Sequence, residues 1–392
     1  MLAHSGLVVA LGWAVYDAAR LSMGIRAAAL RLGLIGLIQF LPILLLSPIT
    51  GLAADRFDRR QVVRLSMLGQ LACPAMLALL AFGPGQELAT LYLAAALFAA
   101  ARAFYMPAMN ALPPALVPRP ALPQAIAISA IAGRIGGILG PVMGGFAYAL
   151  GAGWAFAGSA ILLGIALLLH LQIRPIVQSF HQDGRRAWHL MLEGLHYVLH
   201  NRLLLGAISL DMFAVLLGGV TALLPIFARD ILHIGPAGLG LLRGASSVGA
   251  LATATWLSWR PVRENVGSKM LIAVALFGLA TIGFGLSRSV SLSMFCLALL
   301  GAADMVSVYI RQSLVQIATP DDKRGRVGAI SGLFIAGSNE LGEMETGVAA
   351  AFLGPVGAVI MGGAGAIGLA LMWHRLFPEL AAARRFDQVE SA

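Results

Sequence analysis

The chain has 392 residues, of which 59% are hydrophobic and only 11% charged, with 46 glycines and a mean hydropathy of +0.85. Soluble domains carry roughly 25% charged residues, so a soluble enzyme and a nucleic-acid-binding domain are excluded. The only two cysteines, Cys73 and Cys296, both lie inside apolar runs, which excludes a disulfide-stapled secreted fold, and the net charge of +9 falls mainly in short loops, where it is a topology signal.

An outer-membrane barrel would show segments of about ten residues with alternating polarity. The runs here are unbroken and of helical length, and they predict an all-α integral membrane protein. Twelve spans follow, near 4–22, 32–54, 62–82, 88–110, 122–150, 152–172, 203–228, 236–259, 268–287, 290–317, 325–352 and 354–375.

Span 1 begins almost at Met1 and carries Trp13, Tyr16 and Asp17. Its apolar run before Ala18 and Ala19 has the look of a secretory leader, but Asp17 and the lack of a basic start argue against cleavage. Span 2 carries Gln39 and Phe40 and leads into Gly51-Leu52-Ala53-Ala54-Asp55-Arg56-Phe57-Asp58-Arg59-Arg60. A glycine there lets two helices approach, and an Asp at a helix end can face the positive N-terminus of another helix and pair with Arg. Gly51, Asp55, Arg56, Arg59 and Arg60 are therefore the candidate parts of a conformational latch. Span 4 supplies Arg102, Phe104 and Asn110. Span 5 reads Gly136-x-x-x-Gly140-Pro141-x-x-Gly144-Gly145, preceded by Arg134; the Gly-Pro pair bends a helix and the glycines permit tight packing.

The stretch 173–202, with Arg174, Arg185, Arg186 and Arg202, divides the spans six and six. Within it Trp188, Leu192, Leu195 and Leu199 recur at helical spacing beside His189, Glu193 and His200, the pattern of a helix lying on the membrane surface. The expected organisation is a first bundle over 1–172, a linker over 173–202, a second bundle over 203–376 and a tail over 377–392. The basic loops around Arg56 to Arg64, the linker, Arg260 to Lys269, Lys323 to Arg326, and Arg384 with Arg385 all fall on one side, which places both termini in the cytoplasm. Arg20, Arg26 and Arg31 dissent. The halves also repeat: Val117-Pro118 with Ala127-Ile128-Ser129 matches Thr319-Pro320 with Ala329-Ile330-Ser331, and Gly33-Leu34-Ile35-Gly36-Leu37 matches Gly238-Leu239-Gly240-Leu241. Such duplication is a transporter feature, with the substrate held where the halves meet.

A charge at the bilayer centre costs ~3 kcal/mol or more, so each retained there is a functional candidate. Asp304 and Glu343 lead for proton coupling, with Asp211 next and Arg102 and Arg134 as basic partners; structural ion pairs between helices are the competing explanation. Asp304 and Arg311 share a face of span 10 but stand about 10 Å apart along it, so no direct bond between them is expected. Glu340 and Glu343, three apart, also share a face. Trp13, Tyr16, Asp17, Gln39, Phe40, Phe104, Asn110, Arg311, Phe334 and Glu340 are the candidate lining of a cavity for a large, partly apolar ligand. Metal and cofactor sites are not expected, because no Cys-x-x-Cys, Gly-x-Ser-x-Gly or phosphate-loop pattern occurs.

The loop at 51–60 resembles the signature of the major facilitator superfamily, and the span-5 glycines resemble the motif of its drug and proton antiporters. Asp304 to Gln312, Thr319 to Val327 and Ser338 to Glu343 are similar to one branch of bacterial efflux proteins, the one that contains the enterobactin exporter. The resemblance implies that fold, a basic residue at Arg102 in proton-dependent members, and efflux. The second-half copy of the loop, Trp259-Arg260-Pro261-Val262-Arg263, lacks the Asp. The expectation is a monomeric secondary transporter in a bacterial inner membrane, exporting a siderophore or drug-like small molecule against protons, with lipid and no nucleic acid as its surroundings. The alternative is a proton-coupled importer; a membrane sensor would not need carboxylates on several spans.

Overall fold

The computed structural model describes residues 1–83, 85, 87–110, 112, 116–173, 187–320 and 323–386. Among these the regular structure is entirely helical. The first half comprises α1 (Leu2–Arg20), α2 (Ile25–Arg56), α3 (Arg59–Phe82), α4 (Leu88–Asn110), α5 (Leu122–Leu150) and α6 (Ala152–Leu171). A shorter helix, α7 (Ala187–His200), leads into α8 (Arg202–Leu217), α9 (Gly235–Trp259), α10 (Val266–Leu286), α11 (Val290–Ile317), α12 (Arg324–Leu376) and α13 (Pro378–Ala382).

Among the described residues, ten helical segments are long and apolar enough to cross a membrane. The longest, α12, is interrupted at Gly354, whose φ of +77° lies where a side chain would be strained, and Pro355 follows it. Its two arms and α9, 25 residues long, bring the stretches of spanning length, about 20 residues, to twelve. Local chemistry sets the boundaries. Asp58 caps α3 by accepting from the Arg60 N–H at 2.9 Å, Asn201 caps α8 by accepting from the Leu204 N–H at 3.1 Å, and Gly151, at φ +136°, separates α5 from α6. Large apolar side chains face outward, among them Leu79 at 75%, Phe295 at 65% and Phe352 at 76% exposure. In water such a surface would aggregate; against lipid tails it is the expected exterior.

The chain forms two compact units. The first takes Met1–Gly24, Leu37–Ala187 and His233–Gly244; the second takes Ile25–Gly36, Trp188–Leu232 and Ala245–Ala392. In the first unit α1 packs against α5, α6 and α4, and α3 against α4 and α6, with Val63, Met67, Ala108 and Leu167 in one core cluster. Within the second, α10 packs against α11 and α12, and α12 against α8; Leu210, Met270, Leu314 and Trp373 sit together in one core cluster.

Residues 378–386, expected as part of a tail, are packed in the second unit: Leu380 is fully buried and the Gly267 N–H donates to the Ala383 carbonyl at 3.0 Å. Residues 387–392 lie outside the described residues. Residues Ala187–His200, inside the expected linker, form the helix α7, and its Val198 packs among Leu204, Ile208, Val327 and Ile330. Arg326 reaches Glu193 at 2.6 Å, the Tyr197 hydroxyl donates to the Ala318 carbonyl at 3.1 Å, and the Lys323 ammonium stands 4.8 Å from the centre of the Tyr197 ring. The side chains of Trp188 and His189, and residues 174–186, fall outside the described set.

Candidate substrate and proton sites

A buried polar network is built from three helices of the second unit. Asp211 on α8 and Arg311 on α11 have side chains only 5% and 3% exposed, and their Nε and Oδ2 atoms lie 3.1 Å apart. Ser307, one turn before Arg311, donates to Asp211 Oδ1 at 3.2 Å, and Arg311 Nη1 donates to the Ser331 hydroxyl of α12, also at 3.2 Å. Burial of two charges is expensive and is tolerated here because each finds an opposite charge and a hydroxyl.

The remaining acidic candidates are placed differently. Asp304 and Glu343 are half-buried, each with interactions of its own, and Glu340 is buried at 8% exposure. Glu340 and Glu343 line a close approach within the second unit. A Cβ on Gly36 would overlap the Glu340 carbonyl and the Glu343 side chain, and one on Gly33 would meet the Gly347 backbone. Segment 25–36 of the first half and segment 340–347 of the second thus touch through glycine, as close helix packing requires.

The span-5 motif forms the counterpart in the first unit. Gly136, Gly140 and Gly144 face α1, where added Cβ atoms would strike Leu2, Ser5 and Gly6; Gly145 faces Pro236 and Gly240 at the start of α9, and Gly240 in turn approaches the Pro141 carbonyl. All four motif glycines and Pro141 are buried, whereas Arg134 is exposed.

Of the expected cavity residues, Trp13 is 7% and Tyr16 0% exposed. Trp13 packs 6.4 Å from Tyr148, ring to ring, so in this conformation neither offers surface to a ligand. Asp17 and Phe40 are half-buried, Phe104 packs against the cluster of Val63 and Met67, and Phe334 against that of Val198 and Ile330. Gln39 is buried at 8% exposure and lines a small cavity with His4, Leu7, Val8, Leu11, Cys73, Leu77, Ala94 and Phe98. Arg102 Nη1 stands 3.3 Å from His4 Nε2. The Asn110 side chain is outside the described residues.

The latch is described in part, because the side chains of Asp55 and Arg56, and any account of Gly51 beyond its helical backbone, lie outside the described residues. Arg59 is half-buried with an interaction of its own. Arg60 is tied to Asp58 through Nη2 to Oδ2 at 2.6 Å and Nε to Oδ1 at 3.2 Å, and Nη1 donates to the Ile173 carbonyl at 3.3 Å. Arg64 joins it by donating to the carbonyls of His170, Leu171 and Ile173 at 3.1 to 3.4 Å. Two guanidiniums therefore cap the negative end of α6. The bonded Arg60 holds the Asp58 carboxyl below the ordinary carboxylate value.

Sequence reasoning passed over Asp58, Arg64, Ser307, Ser331 and His4 as site residues. Asp58 before a basic-apolar run is a helix-start signal, and Ser307 stands four residues before Arg311, so both were available from spacing. The pairing of Asp211 with Arg311 was not. His196 and His200 on α7 also form a His-x-x-x-His spacing that the reading overlooked; their rings are 3.9 Å apart, and no group of three metal-binding side chains forms among the described residues.

Comparison with known proteins gives a consistent family. The sequence pattern of the Major Facilitator Superfamily matches residues 1–342. "Enterobactin exporter EntS" of Citrobacter koseri is 28% identical over 345 residues, covering 86% of this chain and 80% of that one. The protein of the same name from Escherichia coli O1:K1 / APEC is 30% identical over 349 residues with the same coverage. Among solved structures, the inward open xylose transporter XylE from E. coli superposes with a TM-score of 0.69 at 12% identity, covering 100% of this chain and 98% of that one, which bears on the fold alone.

Proposed function

This chain belongs to the major facilitator superfamily of transporters and is not an enzyme, and from that premise we propose that it is a proton-coupled exporter of a siderophore or drug-like small molecule in a bacterial inner membrane. The export direction and cargo class rest on its similarity to enterobactin exporters. Proton coupling rests chiefly on one observation, the buried Asp211–Arg311 pair with Ser307 and Ser331. A carboxylate desolvated beside a guanidinium is poised to change protonation when its surroundings change. Asp304 and Glu343 are the further acidic groups, with Arg102 and Arg134 as basic ones.

In this reading the bundles 1–172 and 203–376 alternate access, joined by the linker 173–202, with both termini in the cytoplasm and the carrier working as a monomer. Alternating access needs contacts between sequence halves that close one side and part to open it. The glycine approaches of Gly33 and Gly36 to the 340–347 stretch, and of Gly145 to Gly240, have the small-residue character that reversible packing uses. Gly51, Asp55, Arg56, Arg59 and Arg60 serve as the latch at the opposite loops. The cavity candidates Trp13, Tyr16, Asp17, Gln39, Phe40, Phe104, Asn110, Arg311, Phe334 and Glu340 would come into play as the conformation changes.

The test is transport by purified protein in proteoliposomes under an imposed pH gradient, using catecholate and hydroxamate siderophores, macrolides and cationic dyes. Substrate-dependent proton movement opposite to substrate flux supports antiport. Proton and substrate moving together, into the compartment corresponding to the cytoplasm, would replace the exporter by an importer.

A further inference from the structure

The helix α10 begins without a cap of its own. Asn265, the residue before it, has a left-handed φ of +53°, and its side chain makes no capping bond among the described residues. Carbonyls from the far end of the chain serve instead. Gly267 N–H donates to Ala383 at 3.0 Å, Val266 N–H to Arg384 at 3.4 Å, and the Ser268 hydroxyl to Ala381 at 3.5 Å. The first N–H groups of a helix have no partner inside it and need one when buried. A Cβ on Gly267 would overlap the Leu380 carbonyl, so a glycine is what lets the segment 377–386 lie this close to α10.

The same segment holds α8 on one side and α11 on the other. Arg202, the first residue of α8, donates to the Leu376 carbonyl at 3.0 Å and pairs with Glu379 at 2.9 Å. One turn on, Gly206 lies against the Phe377 ring. The Trp373 ring, centred 5.5 Å from that of Phe377, donates its N–H to the Gly206 carbonyl at 3.2 Å. At the other end Phe386 meets Tyr309 of α11 edge to face, 6.5 Å between ring centres, and Arg385 reaches Glu264 in the loop before α10 at 3.2 Å. Between these ends, Leu380 and Ala383 are buried in the core cluster that holds Leu210 of α8 with Ile310 and Leu314 of α11. Both ion pairs are exposed and contribute little; the backbone and apolar contacts carry the hold. The residues held are neighbours of the buried pair: Leu210 precedes Asp211, and Tyr309 and Ile310 stand between Ser307 and Arg311.

We propose that the segment 377–386 is a positioning strap, which sets the spacing of α8 and α11 at which Asp211 and Arg311 bond. A buried ion pair offsets its dehydration only when its geometry is held, and 3.1 Å between Nε and Oδ2 leaves little slack. Phe377 fixes the α8 side, Phe386 the α11 side, and the bonds to the start of α10 keep the two apart at a set distance. The strap's part in transport rests on the proton-coupled reading; its part in holding the pair does not.

Phe386→Ala in the full-length protein tests it, because this change leaves the carbonyls that cap α10 and the buried Leu380 in place. Unfolding in bicelles is measured for Phe386→Ala in the wild-type chain and in the chain whose pair is replaced by Asp211→Leu with Arg311→Met. A strap that acts through the pair predicts that Phe386→Ala raises the unfolding constant at least about fivefold more in the wild-type chain than in the replaced one. Phe386→Tyr, which keeps a ring on Tyr309, should match wild type. Equal effects of Phe386→Ala in both backgrounds, the additivity of an independent packing contact, overturn the proposal. The second readout compares substrate exchange at equal pH with proton-driven uphill transport, each per folded protein. Phe386→Ala should keep exchange and lose most uphill transport, and Phe386→Tyr should keep both. Exchange and uphill transport that fall together, or uphill transport that stays at the wild-type level, overturn the strap's role in coupling. If the wild-type protein shows no proton-driven transport, the functional reading fails, and the unfolding comparison alone decides whether the strap positions the pair.

Discussion

Removing the Asp211 carboxylate, by Asp211→Ala, leaves the Arg311 guanidinium with the Ser331 hydroxyl as its hydrogen-bond partner in a site where its side chain is 3% exposed. Breaking a buried pair in this way costs about 3–5 kcal/mol, because the survivor is an uncompensated buried charge. Arg311→Met should cost a similar amount through the stranded carboxylate, offset in part by the Ser307 hydroxyl 3.2 Å away. The pair removed together, Asp211→Leu with Arg311→Met, strands nothing and should lie within about 1 kcal/mol of wild type. The cycle therefore predicts a coupling of at least about 3 kcal/mol. Detergent-driven unfolding in bicelles, followed by circular dichroism, measures the stabilities, and transport in proteoliposomes supplies the second readout. Stability should return in the double variant while uphill transport stays lost. Single-variant costs that simply add, each about 1 kcal/mol or less as for an exposed pair, would refute the claim that these charges are dehydrated and mutually dependent.

Gly36→Val should fold and insert yet fail to transport, since its side chain would collide with the Glu340 backbone; overpacking of about 1–3 kcal/mol should appear as altered cysteine accessibility along α2, and full transport would contradict the seam. Asp58→Ala should destabilise by about 1 kcal/mol through loss of the α3 cap. Because Arg60 lowers the Asp58 carboxyl, its ionic contribution is present above the ordinary carboxylate value and disappears as pH falls through the lowered one, so the difference in melting temperature between wild type and Asp58→Ala should shrink at acid pH. Asp55→Asn should slow cycling without impairing insertion, measured as exchange rate per inserted protein; unchanged exchange removes the latch role. Asp304→Asn should abolish substrate-dependent proton movement, and its persistence would leave coupling to the buried pair.

Most of the fold was legible because lipid imposes a simple rule: apolar runs of helical length must be helices, and their ends are marked by charge, Gly or Pro. Gly354 and Pro355, for example, divide α12 close to where the apolar pattern divides spans 11 and 12. The span-5 glycines likewise lie on the close-packed faces their spacing implies. What stayed hidden depends on which helices meet. Spacing along one helix joined Asp304 to Arg311 as neighbours on a face, but a partner for Arg311 had to come from a helix 100 residues away, and no local pattern says that it is Asp211. Tyr16 shows the same limit from the other side: an aromatic in an apolar span suits a cavity or a core equally, and α1 buries it completely against its neighbours. His4 drew no attention as a lone histidine near an apolar start, and gains meaning only beside Arg102 and Phe98.

The most direct test of the central claim is proton flux in proteoliposomes carrying the purified protein, with an imposed pH gradient and a candidate substrate added to the side corresponding to the cytoplasm. Proton-coupled export predicts that a siderophore or drug-like compound dissipates the gradient while moving against proton flow, and that Asp211→Asn loses this response. Substrate flux that proceeds with no movement of protons, or with protons in the same direction, would contradict it.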